Sequence, residues 1–300
     1  MDMAGIAFGL LAALCQSLAY VFLRLYVMRR RESVISLLVT SHVIMGVGAT
    51  ILLFVLGLSG LPAFRDYGPI LFRVTGFYLL GQIGLFCMMR KIEASRAAPL
   101  LGFKVVFLAI IGVVFFGRVI EGHQWLAVAL CVVAALGLNF SGGSLPLASF
   151  LGLCGICVAY SLSDLNIERL VICLGKNMGS MRASLIGVFM SYVLSGVVAV
   201  CAYPILRRHV EKQDWLYAAP YSLGWFSGMV CLFFCFGYVG AIYGNILQAS
   251  RGIMSVIMGA GLAWAGYVHL EQRVSHFVCG DAYWRRFLWC VLSGSSDDDA

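Results

Sequence analysis

Two basic residues, Lys104 and Arg251, sit within about one helical turn of the middle of long apolar runs. A cation at that depth in hydrocarbon costs roughly 3 kcal/mol unless it faces a wet cavity or meets a partner. Partners are scarce. The chain has 14 acidic residues, and the expected spans place none of them at mid-depth; Asp164, at the end of the sixth run, is the nearest. Two readings stay open. The cations line a central cavity and bind an anionic solute, the arginine through paired hydrogen bonds and the lysine as a point charge. Alternatively, they pair with Asp164 and with carbonyls at helix ends as internal structure. Asp164 is also a candidate acid for proton coupling.

Softer candidates share the same runs: Gln16, Ser17 and Tyr20; His42; Gln82; Tyr160 and Ser163; Asn245, Gln248 and Ser250. Hydrogen bonding between helices is the ordinary role of such residues. Gln16, Tyr20, Tyr160 and Gln248 are the ones carried forward as solute contacts, with Tyr78 and Trp225 as cavity walls. Nothing points to catalysis or a resident cofactor. The five histidines form no His-Glu-x-x-His, no Gly-x-Ser-x-Gly is present, and no glycine-rich phosphate loop with a lysine occurs. His269-x-Glu271 has no obvious third metal ligand. Most of the 11 cysteines, including Cys154-Gly-Ile-Cys157, lie in apolar runs, where cysteine acts as a small hydrophobe.

The elements that carry these residues follow from composition. Of 300 residues, 61% are hydrophobic and 12% charged, against about a half and a quarter in soluble domains. Lipid is therefore the expected solvent. Only helices and closed barrels satisfy the backbone there, and continuous apolar runs select helices. Spans are expected near Gly5–Tyr26, Ser33–Leu58, Ile70–Met89, Ala97–Phe116, Trp125–Phe140, Leu147–Leu162, Ala183–Leu206, Ala218–Val239 and Ile242–Ala265. A tenth, Ala282–Leu292, is short. The first span is expected to be retained rather than cleaved. The net charge of +7 sits mostly between the spans, without a basic face interleaved with aromatics, so nucleic acid is not an expected partner.

Displacing the chain by 147 positions pairs Gly81 with Gly228, Gly112 with Gly259, Tyr78 with Trp225, and Lys104 with Arg251. Ser141-Gly-Gly-Ser-Leu-Pro146 lies near the midpoint. The expected architecture is an all-α polytopic bundle of about ten helices: one five-helix repeat over 1–142, a second over 147–293, and a polar tail over 294–300. Two five-helix halves in series have opposite orientations, a plan that places a site near the midplane.

The local phrasing resembles the drug/metabolite transporter superfamily, in its EamA-type members. The carrying residues are Ala94-Ser-Arg-Ala-Ala-Pro-Leu100, its counterpart Asn245-Ile-Leu-Gln-Ala-Ser-Arg251, and a glutamate after each of these spans, Glu121 and Glu271. Departures are the short tenth segment and Lys104, near a position where the family commonly has proline. The resemblance implies a secondary-active carrier of a small metabolite. An organophosphate branch of the superfamily, expected to use basic residues on its fourth and ninth helices, tilts the expectation toward an organic anion. Export of amino acids or of other neutral or cationic metabolites is the alternative; a non-transporting scaffold or an intramembrane enzyme would be a different class. The expected setting is a bacterial inner membrane, as monomer or homodimer. The loop charges put the first loop in the cytoplasm and the N-terminus outside, whereas the resemblance implies both termini inside; orientation stays open.

Overall fold

A computed structural model describes residues 2–30, 34–89, 101–117, 119–140, 146–207 and 210–264. The helices are α1 (Met3–Arg30), α2 (Val34–Leu56), α3 (Phe64–Met89), α4 (Lys104–Phe116, preceded by a 3₁₀ turn at Leu101–Phe103) and α5 (Gly122–Phe140). They continue with α6 (Leu147–Met178), α7 (Ser180–Leu206), α8 (Lys212–Ala249) and α9 (Arg251–Trp264). No strand occurs among the described residues. Among the described residues, six helical stretches are long and apolar enough to cross a bilayer; Leu101–Phe115 and Gln124–Val133 are shorter apolar helices. The Ala94–Leu100 motif, residues 141–145, Glu271, the Ala282–Leu292 segment and the polar tail lie outside the described residues. The chain divides into two compact units, Met1–Ser255 and Val256–Ala300. Every contact below lies within the first.

The outward faces are apolar. Phe54 is 90% exposed, and Val55, Phe115 and Leu223 project likewise. In water such a surface would be an aggregation site; in lipid it matches its solvent.

The 38 residues of α8 would make a straight helix roughly 57 Å long, about twice the hydrocarbon thickness. The chain reverses instead. Gly240 has φ 80° and ψ 165°, and α1 touches both arms. Gly5 lies beside Val239, Gly9 beside both Cys235 and Leu247, and Gln16 beside both Met229 and Gln248. Further along, Tyr26 donates to Asp214 at 2.9 Å. The arm 212–239 is therefore antiparallel to α1 and the arm 241–249 parallel to it. The boundary expected between Val239 and Ile242 is this turn. Glu168 caps the second arm by accepting from the Ala241 amide at 2.7 Å.

One expected boundary is corrected. The sixth span was set to end at Leu162, but α6 continues to Met178, so Asp164 lies near its middle. The idea that no acid stands at mid-span fails with it. Polar residues stop a hydropathy run, yet here each has an internal partner that offsets its burial: Asp164 meets Lys104, Asn166 donates to the Leu162 carbonyl, and Glu168 caps the turn.

The dominant packing pairs are α1 with α8, α3 with α6, and α2 with α7. The α2–α7 crossing is made at Gly46 and Gly196. A Cβ on Gly46 would lie 2.6 Å from the Gly196 Cα, and the reverse distance is 2.7 Å. Close approach of backbones at small residues is how helices gain contact where lipid offers no hydrophobic drive. Gly196→Ala is expected to push α2 and α7 apart at a cost typical of overpacking, about 1–3 kcal/mol. Gly48→Ala, where the added methyl meets nothing within 4 Å, is the control. Thermal unfolding of the two purified variants decides it; equal melting temperatures would refute the crossing.

Candidate functional site

The packing of α1, α3, α4, α6 and α8 leaves a cavity of about 380 Å³ of empty space, its opening included. It is lined by Gln16, Tyr20, Tyr78, Lys104, Tyr160, Asp164, Trp225, Gln248 and Arg251, with Leu101, Met229 and Leu232 as apolar wall. All nine residues singled out in the sequence face this one space. The three apolar residues were not anticipated, because nothing distinguishes a wall leucine from any other in an apolar run.

Each cation is the first residue of a helix. Lys104 opens α4 directly after the 3₁₀ turn Leu101–Phe103. Arg251 opens α9 after a similar tightening, in which the Ser250 amide donates to the Leu247 carbonyl at 3.1 Å, three residues back. Serines on α6 and α1 reach the two cation backbones with a shared proton: Ser161 lies 3.0 Å from the Lys104 carbonyl and 2.8 Å from that of Cys157, and Ser17 lies 3.2 Å from the Arg251 carbonyl and 2.8 Å from that of Ala13. Tight 3₁₀ steps inside membrane helices commonly mark hinges.

The side chains form a series. Lys104 Nζ lies 2.8 Å from Asp164 Oδ2 and donates to Gln248 Oε1 at 2.8 Å. Gln248 Nε2 donates to Gln16 Oε1 at 2.8 Å, and Arg251 Nη1 donates to that same oxygen at 2.9 Å. The amide orientations are dictated by the ends. Lysine and arginine are donors only, so both glutamine oxygens must face them. This leaves Gln16 Nε2 with the weak acceptor Met229 Sδ, at 3.5 Å. Lys104 and Arg251 are each 8% exposed, and Asp164 4%. The Lys104 ammonium lies 5.9 Å from the Tyr160 ring centre, and the Arg251 guanidinium 5.2 Å from that of Tyr20.

The two open readings divide between the two cations. Lys104 is matched by a carboxylate, the internal-pair reading. Arg251 meets an amide oxygen and a ring face, and no carboxylate pairs with it among the described residues. The Lys104–Asp164 contact is close but off the hydrogen-bond line. Asp164 Oδ2 has no hydrogen bond of good geometry, and the buried Tyr160 hydroxyl has none either.

Beside the series stands a second network centred on the Tyr78 hydroxyl. Trp225 Nε1 donates to it at 2.8 Å, and Gln82 Nε2 at 3.1 Å and the Tyr192 hydroxyl at 3.0 Å compete for its second lone pair. His42 Nε2 lies 3.1 Å away. His42 Nδ1 faces the Leu38 carbonyl at 2.8 Å and must carry the proton there, so Nε2 is the acceptor for Tyr78. His42 thus bridges α2 to α3 as expected of an interhelical polar residue. Gln82 bonds within its own helix. Asn245 and Ser250 bond to nearby carbonyls of their own chain segment. Tyr192 was not anticipated; an aromatic in an apolar run carries no signal of its hydroxyl's partner.

Residues 3–140 match the EamA-like transporter family. Over this segment, somewhat under half of its length, the chain is similar to that family. Comparison with curated proteins found no match. The EamA-like family consists of membrane transporters of small solutes, not enzymes, and the apolar helices agree with an integral multi-pass protein.

Removing Asp164 strands the Lys104 ammonium in a buried setting, which costs about 3–5 kcal/mol for such pairs, whereas replacing both partners by apolar residues is often neutral. Asp164→Asn is therefore expected to unfold at markedly lower temperature than the parent, and Lys104→Met combined with Asp164→Leu to recover most of the loss. A double variant no more stable than Asp164→Asn would show that the pair is not the source of the cost.

Proposed function

We propose that this EamA-like protein is a secondary-active carrier of a small organic anion, worked by alternating access between two inverted five-helix repeats. The observation that carries the substrate class is the charge balance of the cavity. Lys104 and Asp164 offset one another, so Arg251 leaves the lining with one positive charge in excess. Around it are donors with little to do: the remaining guanidinium N–H groups, Gln16 Nε2 and the Tyr160 hydroxyl. The start of α9 adds the positive end of a helix dipole. A monoanion with one carboxylate or phosphate ester matches this set, and the aromatic walls favour an organic body.

The repeat arrangement is supported by the packing. Under the 147-residue offset α1 corresponds to α6, α2 to α7, and α3 to the first arm of α8. The pair α1–α8 then maps onto α6–α3, and α2–α7 onto itself. The 3₁₀ turn at 101–103 maps onto 248–250, each followed by a cation. Tyr78 and Trp225, equivalent positions, are joined by a 2.8 Å hydrogen bond. Hinges beside both cations suit a site that opens alternately to each side. A bacterial inner membrane, and a monomer or homodimer, complete the proposal.

A second reading rests on Asp164. Its carboxylate, paired with Lys104 through Oδ2, is also an anionic acceptor for a solute ammonium group, so an amino acid held between Asp164 and Arg251 fits the same cavity. Melting of the purified full chain is to be measured against benzoate and glycerol 3-phosphate as anions, phenylalanine and glycine as zwitterions, and choline as a cation. Anion-selective stabilisation is expected, lost at least tenfold in apparent affinity in Arg251→Ala and partly retained in Arg251→Lys. Saturable counterflow of a stabilising solute in proteoliposomes identifies a carrier. Stabilisation by zwitterions alone favours the amino-acid reading, and an unchanged Arg251→Ala profile sinks both.

A further inference from the structure

A second cavity, of about 220 Å³ of empty space, lies between α3, α6, α7 and α8 and shares Tyr78 and Met229 with the first. No charged side chain lines it. Its polar lining includes four hydroxyls, from Thr75, Ser163, Ser191 and Ser195.

The direction of these hydroxyls decides what fits. Ser163 gives its proton to the Val74 carbonyl at 3.0 Å, Ser191 to that of Gly187 at 2.8 Å, and Ser195 to that of Ser191 at 2.9 Å. Three oxygens are thus left with lone pairs and no proton to offer. Thr75 is the exception among the three threonines of the chain. Thr40 and Thr50 bond back to carbonyls of the preceding turn, the usual habit in helices. Thr75 does not: it is 2% exposed, and its Oγ1 has no partner. A buried hydroxyl left so is costly unless a guest completes it.

A guest for this space must be small and must satisfy oxygen lone pairs. A water molecule donates to two oxygens only. A hard cation takes all of the oxygens at once, since such ions prefer oxygen ligands. With neutral oxygens and no carboxylate in the lining, a divalent ion lacks the counter-charge it needs. We propose that this cavity binds one sodium ion, held by Thr75, Ser163, Ser191 and Ser195. The four ligands come from three helices, α3, α6 and α7, with α8 as apolar wall, and the cavity shares a wall with the solute cavity. Occupancy therefore favours the arrangement in which these helices are closed together, which makes sodium a candidate coupling ion. The site does not depend on the identity of the solute or on the role of Arg251.

The test uses the purified full chain without solute. Binding of radioactive sodium is measured directly, and melting is compared in sodium, potassium and choline chloride at equal ionic strength. Saturable sodium binding is expected, with stabilisation by sodium over both other salts. Thr75→Val and Ser195→Ala are expected to weaken it at least tenfold, while Thr75→Ser retains it. Thr50→Val deletes a hydroxyl that lines neither of these two cavities and is expected to bind as the parent does. Should Thr75→Val not fold, Ser195→Ala with Thr75→Ser carries the test. Absence of saturable binding, equal stabilisation by all three salts, or parental binding in Thr75→Val and Ser195→Ala would overturn the proposal and leave the cavity a water site.

Discussion

A buried charge must be matched where water cannot reach it, and the centre of this protein is arranged around that constraint. Asp164, Lys104, Gln248, Gln16 and Arg251 stand in series, each within 2.9 Å of the next. The carboxylate balances the lysine. The two amides carry acceptor oxygens to both cations at once, which only this orientation allows, because neither cation can accept a hydrogen bond. The arginine ends the series with an amide and a tyrosine ring instead of a carboxylate.

The helices serve that arrangement by being interrupted. A continuous helix would direct its first amides at its own preceding carbonyls. Here α4 and α9 each begin at a cation after a 3₁₀ step, so the helix start and the charge face the same space. Serines from α6 and α1 reach the two backbones at those steps. Close contact elsewhere keeps the frame rigid around them. The Gly46–Gly196 crossing brings α2 and α7 together, and the Gly240 reversal, capped by Glu168, returns the chain along α1 so that Gln248 and Arg251 reach Gln16.

Much of the site was legible in the sequence because polar residues in apolar runs are conspicuous. Nine of them converge on one cavity, although spacing along separate helices says nothing about convergence by itself. The misplaced end of the sixth span shows the limit of the same logic. Hydropathy counts Asp164, Asn166 and Glu168 as a stop, since it cannot know that each has a partner on another element or on the preceding turn. Tyr192 and the hydroxyls around Thr75 were invisible for a related reason. A tyrosine or serine in an apolar helix is unremarkable until the direction of its proton is known.

Sequence alone determined that the chain is helical, that it lives in lipid, and that Lys104 and Arg251 are cations set within apolar runs. These are properties of composition and spacing along one chain, and the backbone's need for hydrogen bonds in hydrocarbon leaves little choice. Tertiary structure decided what each cation meets. Lys104 has its carboxylate 60 positions away, on a helix brought close by the packing of α6 against α4 and α3, whereas Arg251 reaches Gln16 across the α1–α8 contact. Matching a charge is a matter of distance in space, and no local pattern of residues encodes it.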